Sequence, residues 1–197
     1  PAARAFSAFL AIRREAVLRK PAFWGARVNA GVLRFLDPSA RDPGLPYGFG
    51  DFLDWLAATP PAAQNSHVRA QRLAWERGIA LRHLPVEGLS ALLPALEAEF
   101  GLRALAATPG LLESGHHRSK AAAPAPQALE ELLLAPAAVG VFERAVPPAV
   151  DSRALAGTPL GERLRALFAA DYADWEQALR ACTDLAGTGS PGIINRI

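Results

Sequence analysis

Between Gly48 and Pro60 the side chains of Phe49, Phe52, Leu53 and Leu56 fall at i, i+3, i+4 and i+7, which places all four on one face of an α-helix. Both ends of that helix are marked. Asp51 follows Gly50 as an N-cap or first-turn acid, and Pro60-Pro61 stops the helix because proline lacks the N–H that a further turn requires. Next comes Gln64-Asn65-Ser66-His67, a run of hydrogen-bonding groups too polar for a core. Loops held by a rigid scaffold are where binding and catalytic residues concentrate. The stretch from Phe49 to Gln71 therefore sets a buried helix directly beside a candidate site.

The full 197-residue sequence is consistent with one globular domain: 51% of it is hydrophobic and 20% charged. A net charge of +2 is too small to imply nucleic acid or a membrane surface as partner. Of the 21 basic residues, all but Lys20 and Lys120 are arginine, the better fork for bidentate anion contacts. The abundance of alanine and proline points to a GC-rich genome as the source of most of these arginines. The single cysteine, Cys182, excludes an intramolecular disulfide and a Cys-based metal site, and reads as a small apolar filler. No apolar run reaches the ~18 residues of a membrane helix, and no signal-peptide pattern is present, so a cytoplasmic location is expected. With no methionine and a start at Pro1, the sequence reads as a fragment of a longer protein.

Ala2 to Lys20 reads as one helix ended by Pro21, with Phe6, Phe9, Leu10 and Val17 buried and Arg13, Arg14 and Arg19 on the remainder. Prolines and glycines between residues 21 and 48 predict mostly loop, with one turn near Val28–Leu36 and with Trp24 and Phe35 as anchors. Ala80–Pro85 is short and breaker-bounded like a strand. Leu89–Phe100 reads as a helix with Leu89, Leu92, Leu93, Leu96 and Phe100 buried and Gly101 as its C-cap. Gln127–Leu134 is a short helix. Thr158-Pro159 forms an N-cap and N1 pair ahead of a closing helix from Leu160 to about Ala181, striped by Leu164, Leu167, Phe168, Trp175 and Leu179. Asp171 and Asp174, at i, i+3 on that helix, read as solvated. The adjacent His116 and His117 have only Glu113 as a possible further ligand nearby, which is poor support for a metal.

The order Phe-x-x-Phe-Leu-x-Trp-Leu followed by Asn-x-His-Val-x-x-Gln, over Phe49–Gln71, resembles the acceptor-side segment of the carbohydrate sulfotransferase family, bacterial members included. Pro1, Arg4, Ser7 and Phe9 match in order the later positions of that family's Arg-(Asp or Asn)-Pro-x-x-Arg-x-x-Ser-x-(Tyr or Phe) motif, whose leading arginine would fall two residues before Pro1. The Glu87 region and the closing Leu-Phe-Ala-Ala-Asp-Tyr-Ala-Asp-Trp helix follow the family's order. The resemblance implies an α/β, P-loop-like sulfotransferase fold truncated at the N-terminus, its present portion mainly α-helical with a few short strands. It implies a domain over residues 1–185 and a flexible tail over 186–197.

The implied co-substrate is 3′-phosphoadenylyl sulfate, with no metal. The implied reaction moves its sulfuryl group to a hydroxyl of a carbohydrate or similar small-molecule acceptor, without nucleic acid and without a membrane segment in this chain. Ser7 and Arg4 would face the donor's 3′-phosphate. Arg118 and Ser119 would reach the nucleotide from a loop in which the family's asparagine is absent. Asn65 and Gln71 would meet the acceptor, and His67 would act as base. The family's 5′-phosphosulfate loop has no counterpart in these residues, so this chain alone is expected to be inactive. On residue chemistry alone, Ser7 reads as an ordinary exposed helix residue, whereas His67 is equally a loop residue held by Asn65 or backbone. The alternative reading is a non-catalytic, truncated relative that binds or packs.

Overall fold

The computed structural model describes residues 1–70, 94, 97–98, 100–101, 124–144, 147–150 and 153–187. The molecule is mainly helical, and among the described residues the one β-pairing is an isolated antiparallel bridge between Tyr47 and Ala137. The parallel sheet of an α/β fold is absent from the described residues, and the strand expected at residues 80–85 lies outside them. Contacts divide the chain into two compact units, one of Pro1–Gln71 with Ser119–Ala169, the other of Arg72–Arg118 with Ala170–Ile197.

The first unit is built on α1 (Ala2–Ile12), α2 (Glu15–Leu18), α3 (Trp24–Leu36) and α4 (Phe49–Ala58). Its core is aromatic. Phe9 packs on Phe49 and Phe52 at ring separations of 5.4 and 5.9 Å, and Phe6 meets Phe49 edge-on at 5.4 Å. Such pairs add ~0.5–1.5 kcal/mol each beyond the area they bury. The predicted stripe of α4 is buried as expected, Phe49, Phe52 and Leu53 at 0% exposure and Leu56 at 1%. Asp51 serves in the first turn, accepting the Gly48 backbone N–H at 2.8 Å.

Four expectations change in the N-terminal third. The helix expected to run from Ala2 to Lys20 is broken after Ile12, where Arg13 leaves helical dihedrals (φ −94°, ψ 13°). Its side chain goes inward, not out to solvent: Arg13 is 2% exposed. Its guanidinium donates to Asn29 Oδ1 (3.0 Å), the Leu45 carbonyl (2.9 Å) and the Ala137 carbonyl (2.8 Å), and lies 4.1 Å over the Tyr47 ring. Residues 24–36, expected to be mostly loop, form the 13-residue α3. Gly25 and Gly31 act there as close-packing positions rather than breakers: a Cβ on Gly25 would stand 2.8 Å from Val17 Cγ1, and one on Gly31 3.3 Å from the Trp55 indole. Phe35, expected to anchor this segment, is 45% exposed.

The rest of the unit closes around α4. α5 (Pro126–Leu134) buries Leu129 and Leu133, α6 is Val141–Arg144, and α7 is Pro159–Leu167. Thr158 caps α7 as predicted, accepting the Gly161 N–H at 3.1 Å while donating to the Leu155 carbonyl at 3.0 Å. Arg163 ties α7 to α4 by donating to the Gly50 carbonyl at 2.8 Å and pairing with Asp54.

The closing helix is not continuous. It breaks at Phe168 (φ −113°, ψ 34°), whose ring is buried at 5.6 Å beneath the Arg4 guanidinium, and resumes as α8 (Ala169–Gly187). In the second unit, Tyr172 and Trp175 meet edge-on at 6.5 Å. Asp171, read from sequence as solvated, is 6% exposed. Gly101 has φ +61°, the left-handed conformation expected of a C-cap, but Phe100, expected on a buried face, is 62% exposed. Among the described residues no helix is long and apolar enough to cross a membrane.

Candidate functional site

The polar run after α4 is shaped by its own hydrogen bonds before it meets anything else. Gln64 turns back and donates through Nε2 to the Leu56 and Thr59 carbonyls at 2.8 and 2.7 Å, satisfying acceptors that the helix end leaves open. The Asn65 carbonyl then accepts the N–H groups of Val68 and Arg69, both at 3.0 Å. Val68 is buried, and the Arg69 carbonyl accepts Arg4 Nη1 at 2.8 Å. A loop pinned on both sides in this way presents Asn65 and His67 from a fixed base.

The His67 ring is exposed, yet two neighbours fix it. It stacks on the Trp24 indole with ring centroids 4.3 Å apart and planes inclined by 3°. Asn65 Oδ1 lies 2.7 Å from His67 Nδ1 and 3.0 Å from the His67 backbone nitrogen. Asn65, expected to meet the acceptor, thus turns its side-chain oxygen onto its own loop. Both functions anticipated for His67, a loop residue held by Asn65 and an accessible titratable group, are compatible with this arrangement.

Beside this pair opens a cleft of about 320 Å³ lined by Trp24, Arg27, Val28, Trp55, Gln64 and Asn65. Two indoles and a guanidinium offer flat apolar faces and one positive charge, and among the described residues no carboxylate pairs with Arg27. Sequence reasoning missed Arg27 and Trp55 and took Trp24 for an anchor. The available signal was Trp24 and Arg27 at i, i+3, legible only once residues 24–36 are known to be helical.

Of the remaining anticipated residues, Ser7 is exposed on α1, one turn after Arg4. Arg4 is engaged with the Arg69 carbonyl and the Phe168 ring. The structure therefore brings Arg4 to the Asn65–His67 loop from 65 positions away in sequence. Gln71, Arg118 and Ser119 lie outside the described residues, as do His116 and His117. Among the described residues no group of three or more His, Cys, Asp or Glu side chains is placed to hold a metal ion. No protein-family model, curated protein or solved structure matches this chain.

Proposed function

We propose that the chain belongs to a group-transfer enzyme that delivers an anionic group to a hydroxyl. More particularly, we read it as the acceptor-side and 3′-phosphate-side portion of a sulfotransferase of P-loop-like α/β fold. It would use 3′-phosphoadenylyl sulfate as donor and a carbohydrate or similar small molecule as acceptor. The observation that carries the reading is the Arg4–Arg69 hydrogen bond of 2.8 Å. The two segments that resemble the family, one opening the chain and one following α4, are far apart in sequence and are held against each other by that contact.

The parts suit the chemistry. Ser7 offers an exposed hydroxyl midway along the 11-residue α1, one turn beyond Arg4, as a hydrogen-bond donor to an anion. Arg4 adds a guanidinium one turn earlier. His67 is the exposed base: it takes the proton of the acceptor hydroxyl as that oxygen bonds to sulfur and the bond from sulfur to the donor's phosphate oxygen breaks, releasing adenosine 3′,5′-bisphosphate. The cleft with Trp24, Trp55 and Arg27 provides flat faces against which a ring-shaped acceptor can lie.

The test is transfer of radiolabelled sulfate from 3′-phosphoadenylyl sulfate to a panel of polysaccharides by the product of the whole gene. Transfer that is lost in His67→Ala supports the reading. No transfer to any acceptor, together with no binding of adenosine 3′,5′-bisphosphate by calorimetry, rejects it.

A further inference from the structure

We infer that Asn65 is a positioning residue that locks the neutral His67 ring in the tautomer with Nδ1 protonated and Nε2 bare, while Trp24 fixes the plane of that ring. The Asn65 amide has a fixed orientation. Its Oδ1 stands 3.0 Å from the His67 backbone nitrogen, and a backbone N–H can only donate, so the atom facing it must be the oxygen. The same oxygen lies 2.7 Å from His67 Nδ1. An amide oxygen carries no proton, so the short contact requires Nδ1 to bring one. A neutral imidazole has a single N–H. With it committed to Asn65, the lone pair is left on Nε2.

That outcome runs against the intrinsic preference of a free imidazole side chain in water, which favours the proton on Nε2. The stack on Trp24 at 4.3 Å and 3° removes the ring's other freedom, rotation out of plane. The two contacts together aim one unprotonated nitrogen in one direction from an otherwise exposed loop. A purely structural histidine would need only the Nδ1 contact or the stack. Having both is what a proton acceptor of fixed orientation requires. The catalytic consequence rests on the sulfotransferase reading, but the tautomer does not.

The experiment uses the 197-residue chain labelled with ¹⁵N at its four histidines. Long-range ¹H–¹⁵N correlation spectra are recorded with the rings neutral, and His67 is assigned by its loss in His67→Gln. The expected result is a His67 pattern with Nδ1 protonated in the parent chain and in Asn65→Asp, which keeps the acceptor. Asn65→Ala should switch to the Nε2-protonated form. Trp24→Leu should abolish the ring-current displacement of the His67 carbon-bound protons.

A parent chain with His67 protonated on Nε2, or an Asn65→Ala chain with the parent pattern, overturns the inference. These spectra contain no donor or acceptor. The Nδ1–H form in this chain, with no sulfate transfer and no adenosine 3′,5′-bisphosphate binding by the product of the whole gene, would therefore keep the lock and lose the proposed function. In the active protein, Asn65→Ala should lower kcat about tenfold with KM for the donor unchanged, and Asn65→Asp should recover most of it.

Discussion

Two clusters in the first unit are made of nearly the same parts and do opposite work. In each, an asparagine Oδ1 accepts two donors while a planar nitrogen-bearing group lies over an aromatic ring. Asn29 accepts Arg13 Nη1 at 3.0 Å and the Tyr47 hydroxyl at 2.8 Å, with Arg13 at 4.1 Å over Tyr47. Asn65 accepts from the backbone and ring of His67, with His67 at 4.3 Å on Trp24. The first cluster is sealed: Arg13, Asn29 and Tyr47 are at most 2% exposed, and Asn29 Nδ2 also donates to the Pro43 carbonyl at 3.0 Å. The second faces solvent.

What differs is what remains unfilled. Buried polar groups are costly unless paired, so the inner cluster spends its hydrogen bonds joining α1, α3, the 43–47 segment and the chain at Ala137. Arg13 is held there by neutral oxygens and a ring face, and burial draws its pKa below the ordinary arginine value. The outer cluster leaves the His67 side chain exposed, where it can meet another molecule. The same grammar gives cohesion inside and leaves an accessible side chain outside.

The largest effect should come from breaking the inner cluster. Arg13→Met removes the donor from two main-chain carbonyls and should cost about 3–5 kcal/mol of stability, from ~1–3 kcal/mol for each buried group left unmet. Urea unfolding measures it. Arg13→Lys should recover only part, because an ammonium lacks the guanidinium's planar fork. A loss below 1 kcal/mol for Arg13→Met would mean that the cluster does not hold the unit together.

The matching cut in the outer cluster, His67→Ala, should leave the urea midpoint nearly unmoved while lowering turnover about a hundredfold, or ~2.7 kcal/mol in the barrier. Unchanged turnover with intact folding would make the two clusters alike in function and leave His67 a loop residue. In the product of the whole gene, Ser7→Ala should weaken binding of adenosine 3′,5′-bisphosphate by ~1.5–3 kcal/mol, the scale of a hydrogen bond to a charged group. Its stability should match the parent because the side chain is exposed. Equal affinities by calorimetry would discard Ser7 as a phosphate contact.

The smallest effect tests the seal itself. Tyr47→Phe removes one hydrogen bond to Asn29 and should cost ~1 kcal/mol at neutral pH. Burial raises the Tyr47 pKa, with Arg13 opposing. Above a pH of about 10 the unfolded chain therefore loses its tyrosine proton while the folded chain keeps it. The folded state then binds more protons, so stability falls as pH rises, by at most ~1.4 kcal/mol per pH unit for this group. The parent should lose stability faster than Tyr47→Phe in urea titrations above pH 10. Parallel curves would mean that Tyr47 is not sealed.

Elements with both a strong stripe and marked ends were legible in sequence. Phe49–Ala58 kept its predicted face, Thr158 its capping role, and Pro126–Leu134 nearly its predicted bounds. Each depends on contacts within a few residues. α3 was not legible, since glycine lowers helix propensity everywhere and only the neighbours Val17 and Trp55 show why it belongs at positions 25 and 31. Asn65 and His67 could be singled out as a polar pair, but Trp24 could not be linked to them across 43 positions of chain.

The sequence by itself determined the helical character of the described residues, the aromatic core stripe, the helix stops and the polar loop, because propensity, capping and periodicity act locally. Tertiary structure alone decided the fate of individual polar groups. Arg13 and Arg14 are adjacent in the chain, and periodicity had placed both on the outer face of one helix. Arg13 is enclosed at 2% exposure by oxygens from residues 29, 45 and 137, whereas Arg14 is half-buried. Whether a polar side chain becomes a buried tie or an accessible reagent depends on which distant carbonyls and rings surround it, and that information appears only when the chain is packed.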